Sequence, residues 1–168
     1  MAEMMHKNDH KTSRGGERRL SFSLGSQRFA IPLLSVKEVI AVPGLTPVPF
    51  TPSHFLGIMN LRGQVISVLD LRKKLDIKPG ESTEQAVIIC DLSPLTLGVL
   101  VDSVDSVLSP DAASILPKPE GTGAKHTEYI TGIFQEGNDL VLLLDIISAL
   151  DAQDFMAIDS SATKKSAA

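Results

Sequence analysis

A single cysteine, Cys90, leaves the chain no partner for an intrachain disulfide, so its own core must hold the fold. This fits a reducing compartment. Apolar runs are short. The richest, Leu140 to Leu144, stops at Asp145, far below what a bilayer span requires. Positive charge is not in surplus: 16 Lys and Arg face 20 Asp and Glu, a formal net charge of −4. Nucleic-acid binders usually show a basic patch or a basic balance. The nearest thing to one, Arg72-Lys73-Lys74, reads as a solvated helix face. No glycine-rich phosphate loop occurs. The four histidines, His6, His10, His54 and His126, lie in a tail and in loops without forming a ligand set. Cys90 sits in an apolar strand with no histidine near it in sequence, which predicts a buried, inert thiol. Asp70, Asp91, Asp102, Asp105 and Asp145 fall at or near strand ends, where Asp caps or turns the chain. No catalytic residue, metal or cofactor is expected.

The chain of 168 residues suffices for one domain or two very small ones, and 43% apolar with 21% charged residues is ordinary for a globular protein. Residues 1–17 are polar and basic, lack the apolar stretch of a secretory signal, and are expected to form a disordered arm. Residues 152–168 are expected to form a flexible tail. The folded part is therefore residues 18–151.

Within it the pattern repeats. Leu20 to Leu24 alternates apolar and polar, Gly25-Ser26-Gln27 turns, and Phe29 to Leu34 completes a hairpin. Ser35 to Ile40 carries apolar residues at three- and four-residue spacings after a capping Ser, which predicts about one helical turn. Pro43 to Pro52 holds four prolines and must be an extended loop. Two strands follow, Phe55 to Leu61 and Val65 to Leu71, joined at Arg62-Gly63-Gln64. Then comes a short helix over Asp70 to Ile77. The second half runs in the same order. Ser103 to Leu108 matches Ser35 to Ile40 at an offset of 68 (103 − 35), and Gly132-Ile133-Phe134 matches Gly57-Ile58-Met59 at 75 (132 − 57). Short strands in such numbers avoid exposed edges by closing into barrels, one from residues 18–80 and one from 84–151. Two stacked sheets forming a sandwich remain the alternative.

The segment Gly57-Ile58-Met59-Asn60-Leu61-Arg62-Gly63-Gln64-Val65-Ile66-Ser67-Val68-Leu69-Asp70-Leu71 closely resembles the signature of CheW-like domains, in which a strand ends in Asn-Leu-Arg-Gly and the next leads to Asp-Leu. The resemblance spans the folded part. It implies a mainly β fold of two five-stranded, Src-homology-3-like barrel subdomains around a shared apolar core, with short helices and with exchange of terminal strands between the halves left open. It also implies an adaptor without catalytic activity or cofactor. Such adaptors hold the regulatory domain of the histidine kinase CheA on one side and the cytoplasmic tip of a methyl-accepting chemoreceptor on another, in cytoplasmic arrays at the inner membrane. Neither nucleic acid nor direct membrane insertion enters. Adaptors of pilus and other non-motility chemosensory pathways are built alike.

The resemblance also assigns surfaces. Glu38 and Arg62 would form an acidic–Arg pair near the receptor, a planar fork suiting a carboxylate. Val36, Val87 and Val104 would face a receptor groove between the barrels, because a helical partner calls for an apolar groove. Gly57 would permit close backbone approach there, or a bulge. Leu24, Phe29, Ile31 and Leu45 in the first half, with Leu140 and Leu142 in the second, are the kinase-side candidates.

Overall fold

The computed structural model describes residues 16–80, 84–118 and 128–166, with side chains described through residue 159. His6, His10, His126 and most of the expected N-terminal arm lie outside the described residues. The first half contains β1 (Arg19–Leu24), β2 (Gln27–Pro32), β3 (Val36–Ala41), β4 (Phe55–Leu61), β5 (Gln64–Asp70) and α1 (Leu71–Lys74). The second contains β6 (Ala86–Asp91), β7 (Thr96–Val101), β8 (Ser103–Leu108), the two-residue β9 (Ile115–Leu116), β10 (Ile130–Glu136), β11 (Asp139–Leu144) and α2 (Ile146–Ala149). Helix α3 (Ala152–Ser166) follows.

The hairpins are exchanged. One sheet has the order β8-β1-β2-β11-β10-β9 and the other β3-β6-β7-β5-β4. The opening hairpin of each half thus completes the sheet of the other half. It pairs antiparallel at one side (β1 with β8, β3 with β6) and parallel at the other (β2 with β11, β5 with β7). The expected division at 18–80 and 84–151 therefore describes the repeat, while each sheet draws strands from both halves. The register carries the repeat to single residues. Lys37 in β3 and Asp105 in β8 are the extra residues of two bulges, at the offset of 68 (105 − 37). Leu56 in β4 and Thr131 in β10 are the extra residues of two more, at the offset of 75 (131 − 56).

Three apolar clusters result. A shared core joins Phe22, Leu24, Phe29 and Ile31 of one sheet to Ile88, Leu97, Val99 and Val101 of the other. Met59, Ile66, Val68, Val87, Ile89 and Leu100 fill the interior of the five-stranded sheet. Ala30, Leu108, Val141 and Leu143 fill that of the six-stranded sheet. Each fully buried aliphatic or aromatic side chain is worth about 1.5–3 kcal/mol. Two private interiors flanking a shared core are what two like-shaped β subdomains require; a sandwich has one core.

Two expectations need correction. Residues 35–40 are not a helical turn: Leu33–Ser35 is a single 3-10 turn and Val36–Ala41 is strand β3. The bulge at Lys37 interrupts the two-residue period and leaves Val36, Val39 and Ile40 at helix-like spacing. Residues 152–166 are not a flexible tail but helix α3. Asp154, Ala157 and Ile158 share one of its faces and are buried. The Asp caps hold: Asp70 accepts hydrogen bonds from the Arg72 and Lys73 amides, and Asp145 from the Ile147 amide.

Candidate functional site

Strands β3 and β4 are the two edges of the five-stranded sheet. Glu38 projects from the first. Arg62 stands at the tip of the β4–β5 hairpin. The tip needs positive φ at both central residues, and Arg62 (φ 51°) and Gly63 (φ 86°) supply it. Asn60 Oδ1 accepts from the Gly63 amide at 2.8 Å and fixes the turn. Arg62 Nη1 then donates to Glu38 Oε1 at 2.6 Å and Nη2 to Oε2 at 3.0 Å, a bidentate fork. The pair joins the two edges of the sheet. The hydrogen bond from Arg62 holds the Glu38 carboxyl below its ordinary pKa, and the bond to Glu38 raises that of Arg62. The Arg62 side chain is nonetheless 73% exposed. A bulky residue in left-handed backbone, presenting a fixed charge to solvent, is unusual for a turn that serves the fold alone.

The other receptor-side candidates divide. Val36 opens β3 and Val104 is the second residue of β8; they occupy equivalent repeat positions and are half-buried against the shared core. Val87 is wholly buried among Ile66 and Val68, so it supports the five-stranded sheet and offers nothing to a partner. Gly57 is also structural. At φ 144° its Cα approaches the loop strand at Thr46 so closely that a Cβ would come within 2.4 Å of the Thr46 carbonyl oxygen. There Thr46 and Ile58 exchange two 2.9 Å backbone hydrogen bonds.

The kinase-side candidates divide more sharply. Leu24, Phe29 and Ile31 are buried in the shared core, where Phe29 stacks on Phe22 with ring centroids 6.1 Å apart. They cannot touch a partner in this fold. Their alternation marks them as inward-facing, and inward here means the seam between sheets. Leu45 and Leu142 are half-buried, and Leu140 is exposed. Sequence reasoning missed the exposed Leu34, Val39, Phe50, Val107 and Met156. Val39 and Val107 are repeat equivalents (107 − 39 = 68) on the outward face of β3 and β8, legible once the bulge is allowed for.

Among the described residues no group of three or more His, Cys, Asp and Glu could hold a metal ion. Burial pushes the Cys90 thiol up to about 12, so it is neutral and unreactive. His54 contacts the buried Asp154, which also takes the Lys74 ammonium at 2.6 Å. That cluster anchors α3 to the first half. Among the described residues no helix is long and apolar enough to cross a membrane.

Comparison with known proteins extends these observations. A family model described as the CheW-like domain matches residues 18–154. The chain is 33% identical over 149 residues to a chemotaxis protein CheW of Klebsiella aerogenes, covering 88% of this chain and 89% of that one. It is 30% identical over 139 residues to the chemotaxis protein CheW of Bacillus subtilis, covering 82% and 89%. The crystal structure of the scaffolding protein TtCheW from Thermoanaerobacter tengcongensis superposes with a TM-score of 0.75 at 27% identity, covering 83% of this chain and 90% of that one.

Proposed function

The chain belongs to the CheW-like domain family, and from that premise we propose that it is a non-enzymatic chemotaxis adaptor coupling methyl-accepting chemoreceptors to the histidine kinase CheA. It works in the cytoplasm, in arrays at the inner membrane, through protein surfaces alone. The observation that carries this reading is the exposed Glu38–Arg62 fork across the edges of the five-stranded sheet. A guanidinium held bidentately cannot swing with its own rotamers, so the hairpin tip keeps one shape and one charge arrangement for a partner. Val36 and Val104 supply an apolar floor at the seam, which suits the flank of a receptor helix. Kinase contact falls to the exposed apolar positions, of which Leu140 is one.

Titration calorimetry of the purified chain against a receptor cytoplasmic fragment and against a CheA fragment tests the proposal. Both should bind. Glu38→Arg and Arg62→Glu should each leave the circular dichroism spectrum unchanged and weaken receptor binding. Combining them should restore part of it. A chain that binds neither fragment overturns the proposal.

A further inference from the structure

The edge strands β3 and β8 each carry a bulge residue, and the two bear opposite charges. In β8 it is Asp105, whose charge is taken up inside the fold. Ser23 and Ser103 donate to its oxygens at 2.8 and 3.2 Å, and Arg28 lies 3.6 Å away. In β3 it is Lys37, the repeat counterpart (105 − 37 = 68). Lys37 is exposed, and its ammonium makes no hydrogen bond or ion pair among the described residues.

The bulge sets Lys37 beside the fork. Two residues of a bulged strand stand opposite one, so Lys37 and Glu38 both face Ile89 of β6 across the ladder. The bond from Arg62 holds the Glu38 carboxyl low, and the charges of Arg62 and Lys37 add to that against the opposing effect of burial. Glu38 itself is committed, because the two Arg62 nitrogens hold both of its oxygens. The fork is neutral as a pair. Lys37 therefore leaves this edge with one positive charge, on a chain whose net charge is −4. Two residues further on, Val39 is 42% exposed. An uncommitted cation thus shares one sheet edge with a fixed hairpin tip and an exposed aliphatic side chain.

We propose that Lys37 is a specificity-determining contact of the fork surface, pairing with an Asp or Glu on the receptor segment that docks there. This rests on the reading that a receptor docks at the fork. The two cations divide the work. Arg62 is pinned and gives the surface its shape, while Lys37 is a mobile point charge on a flexible stem and gives it a preference for an acidic neighbour. A charge at the rim of an interface acts mainly on the association rate and on its salt dependence. The alternative is that Lys37 only guards an edge strand against pairing, a task that glutamate performs equally well.

Binding of a receptor cytoplasmic fragment, followed by titration calorimetry and by stopped-flow association, tests the proposal. Lys37→Gln should weaken binding about threefold and Lys37→Glu about tenfold, chiefly through slower association. Rising salt should weaken the parent more steeply than Lys37→Gln. Lys37→Arg keeps the charge and should bind like the parent. Among Asp→Asn and Glu→Gln variants of the fragment, one should weaken binding about as much as Lys37→Gln and add nothing to it. Thermal midpoints should match the parent throughout, which assigns the losses to the surface. If the parent binds and Lys37→Glu binds equally well, the proposal is overturned and the coupling reading stands. It is likewise overturned if Lys37→Arg loses as much as Lys37→Gln, or if every acid of the fragment is additive with Lys37→Gln. A parent that does not bind the fragment removes the coupling reading and this proposal together.

Discussion

The interiors of the two sheets share a backbone plan and differ in what fills them. Six buried apolar residues, Met59, Ile66, Val68, Val87, Ile89 and Leu100, line the five-stranded one. In the six-stranded one Arg19 and Ser21 stand where the repeat puts Val87 and Ile89. Ser21 is wholly buried and satisfied: its hydroxyl donates to the Ser106 carbonyl at 3.0 Å and accepts from the Ser106 amide at 3.1 Å. Arg19 is not. A duplicated fold therefore separates two demands. One interior is loaded for stability, and the other tolerates polarity that folding did not ask for.

Exchanging the two occupants would test that difference most severely. Val87→Arg buries an unpaired charge and should cost about 3–5 kcal/mol, a large share of the roughly 5–15 kcal/mol that holds a small domain. Urea unfolding followed by circular dichroism should show the protein largely unfolded. Arg19→Val, the reciprocal change, should raise stability by about 1 kcal/mol. A Val87→Arg protein with an unmoved midpoint would mean that the interiors are equivalent after all.

The next contrast is between Asp102 and its counterpart Leu34. The Asp102 carboxylate is buried and gathers the Gly25 amide, the Gly80 amide at 3.4 Å and Arg72 at 2.8 Å, so it clips the β1–β2 turn to the end of the first half. Asp102→Ala leaves the Gly25 and Gly80 amides without this acceptor and Arg72 with only its 3.4 Å contacts to Asp70, and should cost about 3 kcal/mol. Leu34→Ala should shift stability by less than about 0.5 kcal/mol. Equal losses would erase this asymmetry between the halves.

Helix α3 offers a third contrast. Lys74, which receives it, aligns with Ala149 in the second half (149 − 74 = 75), so the second half lacks this lysine anchor. Asp154→Ala should cost about 2 kcal/mol and speed amide exchange over residues 152–159. Burial opposes the charge on Lys74, but its bonds to Asp154 and Asp151 outweigh this and raise its pKa above 10.5. The bond from Lys74 lowers Asp151 below 3.8. The Lys74 contribution is complete below its ordinary value and fades as pH rises through the raised one. The Asp151 contribution is complete above its ordinary value and fades as pH falls through the lowered one. Exchange protection of α3 should decline at both of those limits. Protection that declines at neither would place the anchor elsewhere.

Much of this was legible in the sequence. Offsets of 68 and 75 are reproduced by bulges at Lys37 and Asp105 and at Leu56 and Thr131. The Asp70 and Asp145 caps are where the residue types put them, and the Glu38–Arg62 contact is the pair that the family resemblance implied. The hairpin exchange was not legible. A strand buries the same face whether it completes its own half or the other, so the apolar pattern is identical in both arrangements. The same ambiguity put Leu24, Phe29 and Ile31 among surface candidates, because alternation shows which face is buried without saying against what. Helix α3 was hidden by its Ser, Lys and Ala content, although Asp154, Ala157 and Ile158 keep helical spacing.

The smallest effect on the fold, and the sharpest on function, should come from the hairpin tips. Arg62 at φ 51° aligns with Gly137 at φ 60° (137 − 62 = 75). The second half uses the residue that left-handed backbone favours, while the first places an arginine there to reach Glu38. Arg62→Gly therefore relieves the turn while removing the fork, and the thermal midpoint should stay within error of the parent. Glu38 should respond. Its hydrogen bond from Arg62 is the main cause of its lowered pKa, so the fork's contribution is complete above 4.5 and is lost as pH falls through the lowered value. In Arg62→Gly the carboxyl-carbon titration of Glu38 should move back up to the ordinary range, and receptor-fragment binding should weaken. If the titration moves and binding does not, the fork shapes a turn and nothing more, and the two tips are equivalent in function despite their different residues.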